Sequence, residues 1–458
     1  MAKKIISLLI ALTFVVALAA CGGGAPTGGT APPPPPTGGD TAPPPASGDA
    51  DTSDRPMSPL VISGFVGDPN HYQRTWNAEF ESRFPELGEV QTVITDANNR
   101  PMILRTAIAA GDPPAIGFFW GTRLNSFFNI GMCLDLRPYF DPADIALLNE
   151  SLLQPAIGPN NELFAIPTTT VYFTTFYNRD LFEYYGFEHP ETWDDLTAIF
   201  SRVREDGLFG FSLNTVSLQD GIFGLAYAEL EERVGPGTSY ALASGEVSVL
   251  PGTPAGEIIR EVTEQLHAWF DAGYWYPGEG AISVSAEESN AAFARGSALM
   301  TFTFSGAFAA LDGASDFNLG VFMKPTSAPG MTSVENIEPS VYFIPSNASE
   351  GQINSAIEWM NIALTQEGQQ AIVDSNNIPS IPSFQFENMS PILAEIMGVL
   401  DTDQLVAGLN PVRASAEMFN FIKQVVFTGP ISGVMTIDEM LHEFERIRLE
   451  AYEEMNRQ

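Results

Sequence analysis

The residues with the clearest chemical promise are aromatic and hydrogen-bonding side chains that follow predicted strands. Trp120 closes a strand predicted over Ala115–Trp120 and opens a polar loop containing Thr122, Arg123 and Asn125. Asp68 follows the first predicted strand, Leu60–Phe65. In open α/β sheets, ligands sit beyond the carboxyl ends of the strands. There an indole offers a flat apolar platform and a carboxylate accepts hydrogen bonds. A solute with both apolar faces and hydroxyls would use groups of both kinds. Covalent chemistry finds no equivalent signal. The chain lacks His-Glu-x-x-His, Gly-x-Ser-x-Gly and a phosphate loop. Its four histidines, His71, His189, His267 and His442, are scattered without metal-ligand spacing. No metal and no cofactor is expected.

Several elements must position these residues. Tyr72, Trp76, Phe80 and Phe84 recur every fourth position, one face of a helix ending before Pro85. Val90–Thr95 reads as a second strand and Met102–Ala110 as a helix stopped by Gly111. A short strand ending at Pro167, a threonine run (Thr168–Thr170) and a strand over Tyr172–Tyr177 come next. Thr192 and Asp195 form an acidic capping box before a helix whose buried face is Leu196, Ile199, Phe200 and Val203. Leu319–Phe322 and Tyr342–Pro345 read as further strands. Strands alternating with helices imply an α/β architecture with a parallel, doubly wound sheet. Trp193 and Trp359 occupy core-facing helical positions. The pair Trp275-Tyr276 fits either a cleft cover or packing beneath its own loop.

The ends and the composition bound the setting. Lys3 and Lys4 precede an apolar run to Ala20, then Cys21, which reads as a secretory signal over residues 1–20. Leu18-Ala19-Ala20-Cys21 resembles the bacterial lipoprotein signal, which implies a lipid on the Cys21 thiol; a plain signal peptide with an incidental Cys is the other reading. Residues 21–56 are rich in Gly, Pro, Thr and Ala, with Pro32–Pro36 unbroken, and read as a solvated tether. At about 3.1 Å per residue for polyproline II, its reach approaches roughly 100 Å. Residues 57–458 suffice for two lobes with separate cores. With Cys21 lipidated, Cys133 is the sole thiol and no intramolecular disulfide can form. The net charge is −35, and removing the two signal lysines makes it −37, leaving only Lys324 and Lys423. That field argues against nucleic acid and anionic ligands.

The stretch Pro167, Tyr177-Asn178-Arg179-Asp180-Leu181-Phe182, Gly186, Thr192-Trp193-Asp194-Asp195-Leu196 resembles the bacterial extracellular solute-binding proteins of sugar-type ABC importers, the maltose-binding-protein-like family. Further matches are Gly111-Asp112-Pro113-Pro114-Ala115, with Ala115 where the family has Asp, and Phe293-Ala294-Arg295-Gly296-Ser297-Ala298-Leu299-Met300. Ser305-Gly306-Ala307-Phe308 carries Phe308 at a family Trp position, and Thr365-Gln366-Glu367-Gly368-Gln369-Gln370 and a closing helix from Thr436 complete the set. The resemblance implies a two-lobed periplasmic-binding-protein-like type II fold, each lobe a mixed sheet flanked by helices. The lobes would be discontinuous, approximately 57–168 plus 326–378 and 169–325 plus 379–458. Hinge crossings would fall near Thr168–Tyr172, Lys324–Tyr342 and Asn376–Pro382.

The same resemblance implies a carbohydrate, most simply a neutral oligosaccharide, captured in an interlobe cleft and delivered to ABC permease transmembrane subunits. The protein would be a lipid-anchored monomer on the extracellular face of the membrane. It draws Tyr172, Phe308, Asn377 and Arg413 into the candidate site beside Trp120 and Asp68. The same fold with a peptide, polyamine or metal chelate is the alternative. A lipid-anchored polysaccharide-degrading enzyme would need two cleft carboxylates roughly 5–10 Å apart, and none stands in a recognisable motif.

Overall fold

The computed structural model describes residues 55–64, 71–94, 99–121, 124–213, 223–243, 246–331, 335–399, 405–406, 421 and 425–456. Asp68, Arg413 and Cys21 lie outside them. Strand β1 (Val61–Gly64) pairs in parallel with β2 (Gln91–Ile94) and β3 (Ile116–Trp120). Helices α1 (Tyr72–Arg83) and α2 (Arg100–Ala109) make the crossovers. Tyr72, Trp76 and Phe80 are buried as their spacing requires.

The next strand departs from expectation. Residues that read as two strands and a threonine run form one thirteen-residue strand, β4 (Ile166–Asn178). Threonine is β-branched and tolerates extension well. A register shift between Pro167 and Thr169 absorbs the irregularity as a bulge. Beyond it come α3 (Trp193–Glu205), β5 (Phe209–Ser212), α4 (Pro254–Asp271), α5 (Ala286–Ala294), β6 (Ala298–Phe304), α6 (Phe308–Ala314) and β7 (Leu319–Phe322). The Thr192–Asp195 capping box forms reciprocally at the start of α3. The remainder holds β8 (Glu335–Phe343), α7 (Glu350–Ala363), α8 (Gln366–Asp374), β9 (Ile378–Pro379), α9 (Pro391–Val399), β10 (Leu405–Val406) and α10 (Ile437–Asn456).

The strands join in one mixed sheet of order β2-β1-β3-β8-β4-β6-β5, with β7 and β9 also paired to β4 and β10 to β8. The parallel expectation holds for β1–β3 and for β5 with β6. The crossing strands run antiparallel: β8 to β3 and β4, and β4 to β6 and β7.

Two large cores flank this path, as a two-lobed fold requires. One gathers Trp76, Phe80, Phe119, Phe127, Tyr342 and Trp359; the other gathers Phe200, Phe211, Trp269, Trp275, Phe302 and Phe444. A third, smaller core holds Tyr172, Phe176, Phe308, Leu311, Ile392 and Leu393. Trp193 and Trp359 bury their rings and donate their indole N–H groups to Pro325 O and Asn77 Oδ1. Trp275 is core as well, its ring 5.1 Å from Phe211. Cys133 is buried, and that burial pushes its thiol up, so it stays protonated. Among the described residues no helix is long and apolar enough to cross a membrane.

Candidate binding cleft

Register across the sheet brings distant residues onto one face. Side chains of paired residues share a face, and neighbours along a strand alternate. Trp120 pairs with Ser340, and Ser340 with Thr169. Two steps along β4, Val171 shares the face of Thr169, and two further Phe173 pairs with Phe304. Trp120 and Phe304 therefore stand on the same side of the crossing strands, one at the carboxyl end of β3 and the other at that of β6. Between them Thr169 and Val171 form a floor. Val171 is the one residue of β4 that is not fully buried.

The two rings are held differently. Behind Trp120, the buried Arg100 guanidinium stacks over the rings of Phe118 and Trp120, with centroids at 5.2 and 5.8 Å. The next residue, Gly121, approaches Pro339 so closely that a Cβ would lie 2.9 Å from its ring. Phe304 is 40% exposed, a large apolar group presented to solvent at a strand end. Its ring lies over Gly306: a Cβ there would meet the ring at 3.3 Å and Val171 Cγ1 at 3.4 Å. Any side chain at Gly306 would press on both the platform and the floor.

Buried polar groups tie the floor together. The Thr169 hydroxyl donates to Ile378 O at 2.5 Å, fastening β9 to β4. At the other end the buried Lys324 ammonium donates to Phe173 O. The Tyr72 hydroxyl is hydrogen-bonded to those of Tyr342 and Thr168, so the first turn of α1 reaches the bulge. Burial pushes Tyr72 up to about 12 and holds Tyr342 well above the ordinary phenol range, so both phenols stay protonated.

The sequence-derived candidates divide sharply. Trp120 is partly exposed at the carboxyl end of β3. Tyr172 is one position from Val171 and so points the opposite way: it is fully buried in the third core, its hydroxyl donating to Ile396 O at 3.1 Å. Phe308 is 3% exposed and packs in the same core. The family motif aligns Phe308 with an aromatic position, but here the exposed ring is Phe304, four residues earlier. Asn377 is half-buried beside β9, its amide donating to Ser375 O at 2.8 Å. Phe304, Val171, Arg100 and Lys324 escaped the sequence reading. The strand-end rule that selects Trp120 would also have selected Phe304.

Residues 79–391 match the family described as bacterial extracellular solute-binding protein. Among solved structures, a chitin oligosaccharide binding protein superposes with a TM-score of 0.70 at 19% identity, over 86% of this chain and 100% of its own. The RafE binding protein in complex with raffinose gives 0.65 at 18%, over 85% and 99%. A family 1 extracellular solute-binding protein from Bifidobacterium longum subsp. infantis gives 0.68 at 16%, over 86% and 99%. These likenesses agree with the two-lobed fold derived above. On the profile match, the chain belongs to the bacterial extracellular solute-binding proteins, which bind their solutes rather than transform them.

Proposed function

We propose that this protein captures a neutral oligosaccharide between its lobes and hands it to the transmembrane subunits of an ABC permease. The observation that carries the reading is the pair of aromatic rings, Trp120 and Phe304, on one side of the crossing strands with the small residues Thr169, Val171 and Gly306 between them. A pyranose has apolar faces that stack on such rings and hydroxyls that need polar neighbours. Asp68 and Arg413 are assigned as further hydroxyl partners, and Asn377 as a residue flanking the floor. The lobes are assigned to 57–168 plus 326–378 and to 169–325 plus 379–458. A solute touching both lobes favours the closed arrangement by its greater affinity for it. The protein is anchored through lipidated Cys21 to the extracellular face of the membrane and acts as a monomer.

A thermal-shift screen with raffinose, xylotriose and chitotriose tests the carbohydrate reading. A solute that binds only the folded state raises the melting temperature with concentration. If none of these sugars shifts it and a peptide, polyamine or metal chelate does, the solute class is wrong. Release of new reducing ends in proportion to protein would restore the enzyme reading. Labelled palmitate should enter the wild type and not Cys21→Ala; incorporation into both would remove the anchor.

A further inference from the structure

At the carboxyl end of β1 lies a buried polar side chain that the packing leaves unsatisfied. Gln73 occupies the first turn of α1, where its backbone N–H donates to His71 Nδ1 at 3.2 Å. Its side chain is fully buried, and among the described residues neither its amide oxygen nor its amide nitrogen has a hydrogen-bond partner. The amide rests against Gly64, the last residue of β1: a Cβ there would lie 3.3 Å from Nε2 and 3.4 Å from Oε1. Gly64 shares a face with Ile62, whose register partner is Ile116. Alternation along β3 puts Phe118 and Trp120 on that same face. The Gln73 amide thus sits at the carboxyl end of β1, on the side of the sheet where Arg100 stacks on Phe118 and Trp120.

A buried donor or acceptor without a partner destabilises a fold, and native proteins leave few of them. Groups retained against stability concentrate where a protein binds or reacts. The position of this one matters as much as its state, because ligands sit beyond strand carboxyl ends. An amide carries a donor pair and an acceptor on adjacent atoms. That combination matches two neighbouring hydroxyls of a sugar ring.

We propose that Gln73 is a specificity-determining residue of the first lobe, its amide turning to a vicinal diol of the sugar unit stacked on Trp120. Oε1 accepts from one hydroxyl while Nε2 donates to the next. The assignment rests on the carbohydrate reading and deepens it. It also explains why a side chain of this polarity is buried against Gly64 with neither amide atom satisfied.

Gln73→Met keeps the length and nearly the volume of the side chain while deleting both polar atoms. The variant should melt at or above the wild-type temperature, because an unsatisfied amide has been removed from the interior. Its affinity for whichever of raffinose, xylotriose and chitotriose the wild type binds should fall roughly ten- to a hundredfold. Monodeoxy analogues of that sugar should bind the wild type more weakly at the hydroxyls Gln73 reads, and Gln73→Met should erase that penalty. Gln73→Leu also removes both polar atoms and should erase the same penalties, which keeps the test available if the Met variant fails to fold. A lower melting temperature with unchanged affinity, or deoxy penalties that survive both substitutions, makes Gln73 a packing residue and overturns the proposal. If the wild type takes up none of the three sugars, the carbohydrate reading falls and this assignment falls with it. If the wild type binds and the variants bind as tightly, this assignment alone falls.

Discussion

The front and rear faces of β4 come from one run of residues and do opposite work. On the rear, Tyr172 and Phe176 enter the third core with Phe308, Leu311 and Leu393. The polar groups there are closed internally: Tyr172 donates its hydroxyl to Ile396 O and its N–H to Ser305 Oγ, and Thr174 donates to Phe322 O. On the front, Val171 is left partly open and an exposed aromatic ring stands beside it. Protein interiors satisfy their own polar atoms, whereas a surface that must accept a solute leaves apolar faces uncovered. A single step along the strand separates the two.

The comparison breaks most visibly at Tyr172. Tyr172→Ala should empty a fully enclosed volume in the third core and cost about 3–5 kcal/mol of folding stability. Affinity per folded molecule should be unchanged, since no part of the ring reaches the front. Urea melts read the first effect and calorimetry on the folded fraction the second. A large loss of affinity in a variant that still folds would put Tyr172 in the site after all.

Trp120→Ala is the mirror experiment. Removing roughly 80–120 Å² of mutual apolar contact with a sugar face, at about 25 cal/mol/Å², weakens binding by about 2–3 kcal/mol. That is roughly a thirtyfold to more than a hundredfold change in Kd. The ring is partly exposed, so folding stability should change less than for Tyr172→Ala. Unchanged affinity beside a large stability loss would assign Trp120 to packing against Arg100 and Phe118.

Much of this architecture is legible in the sequence, and the failures have identifiable causes. The strand read over Ala115–Trp120 forms over Ile116–Trp120 because a Gly-Asp-Pro-Pro turn and a polar loop bracket an apolar run. The α3 face and its cap follow from helical spacing and from Thr192 and Asp195. What the sequence conceals is parity at the crossing. Thr168–Thr170 shows no alternation of apolar and polar residues, and the bulge at Pro167/Thr169 shifts the register by one. Such a slip sends every later side chain to the other face. The resemblance draws Tyr172 into the site by its place at the crossing, whereas its parity on β4 puts its side chain in the third core. Gln73 and Arg100 are hidden for another reason. Each opens a helix, and only the folded chain puts Arg100 over Trp120 and the Gln73 amide at the end of β1 on the same side of the sheet.

Phe304 offers the finest test of the comparison, with the smallest expected effect. Its ring is 40% exposed, so Phe304→Ala removes less buried surface than either substitution above. Stability should fall by no more than about 1 kcal/mol, well short of the core range. If one face of a sugar stacks there, about 40–60 Å² of contact at roughly 25 cal/mol/Å² gives about 1–1.5 kcal/mol. Binding then weakens roughly five- to twelvefold. Phe304→Leu should recover part of the apolar contact but not the flat ring, and so fall between alanine and wild type. Calorimetry on the three proteins with one sugar checks the order. Combining Phe304→Ala with Trp120→Ala sharpens it: platforms touching separate sugar units give additive losses, whereas two rings gripping the same unit give a combined loss that departs from the sum. Equal affinity in the wild type, Phe304→Ala and Phe304→Leu would leave Trp120 as the sole platform and place Phe304 outside the site.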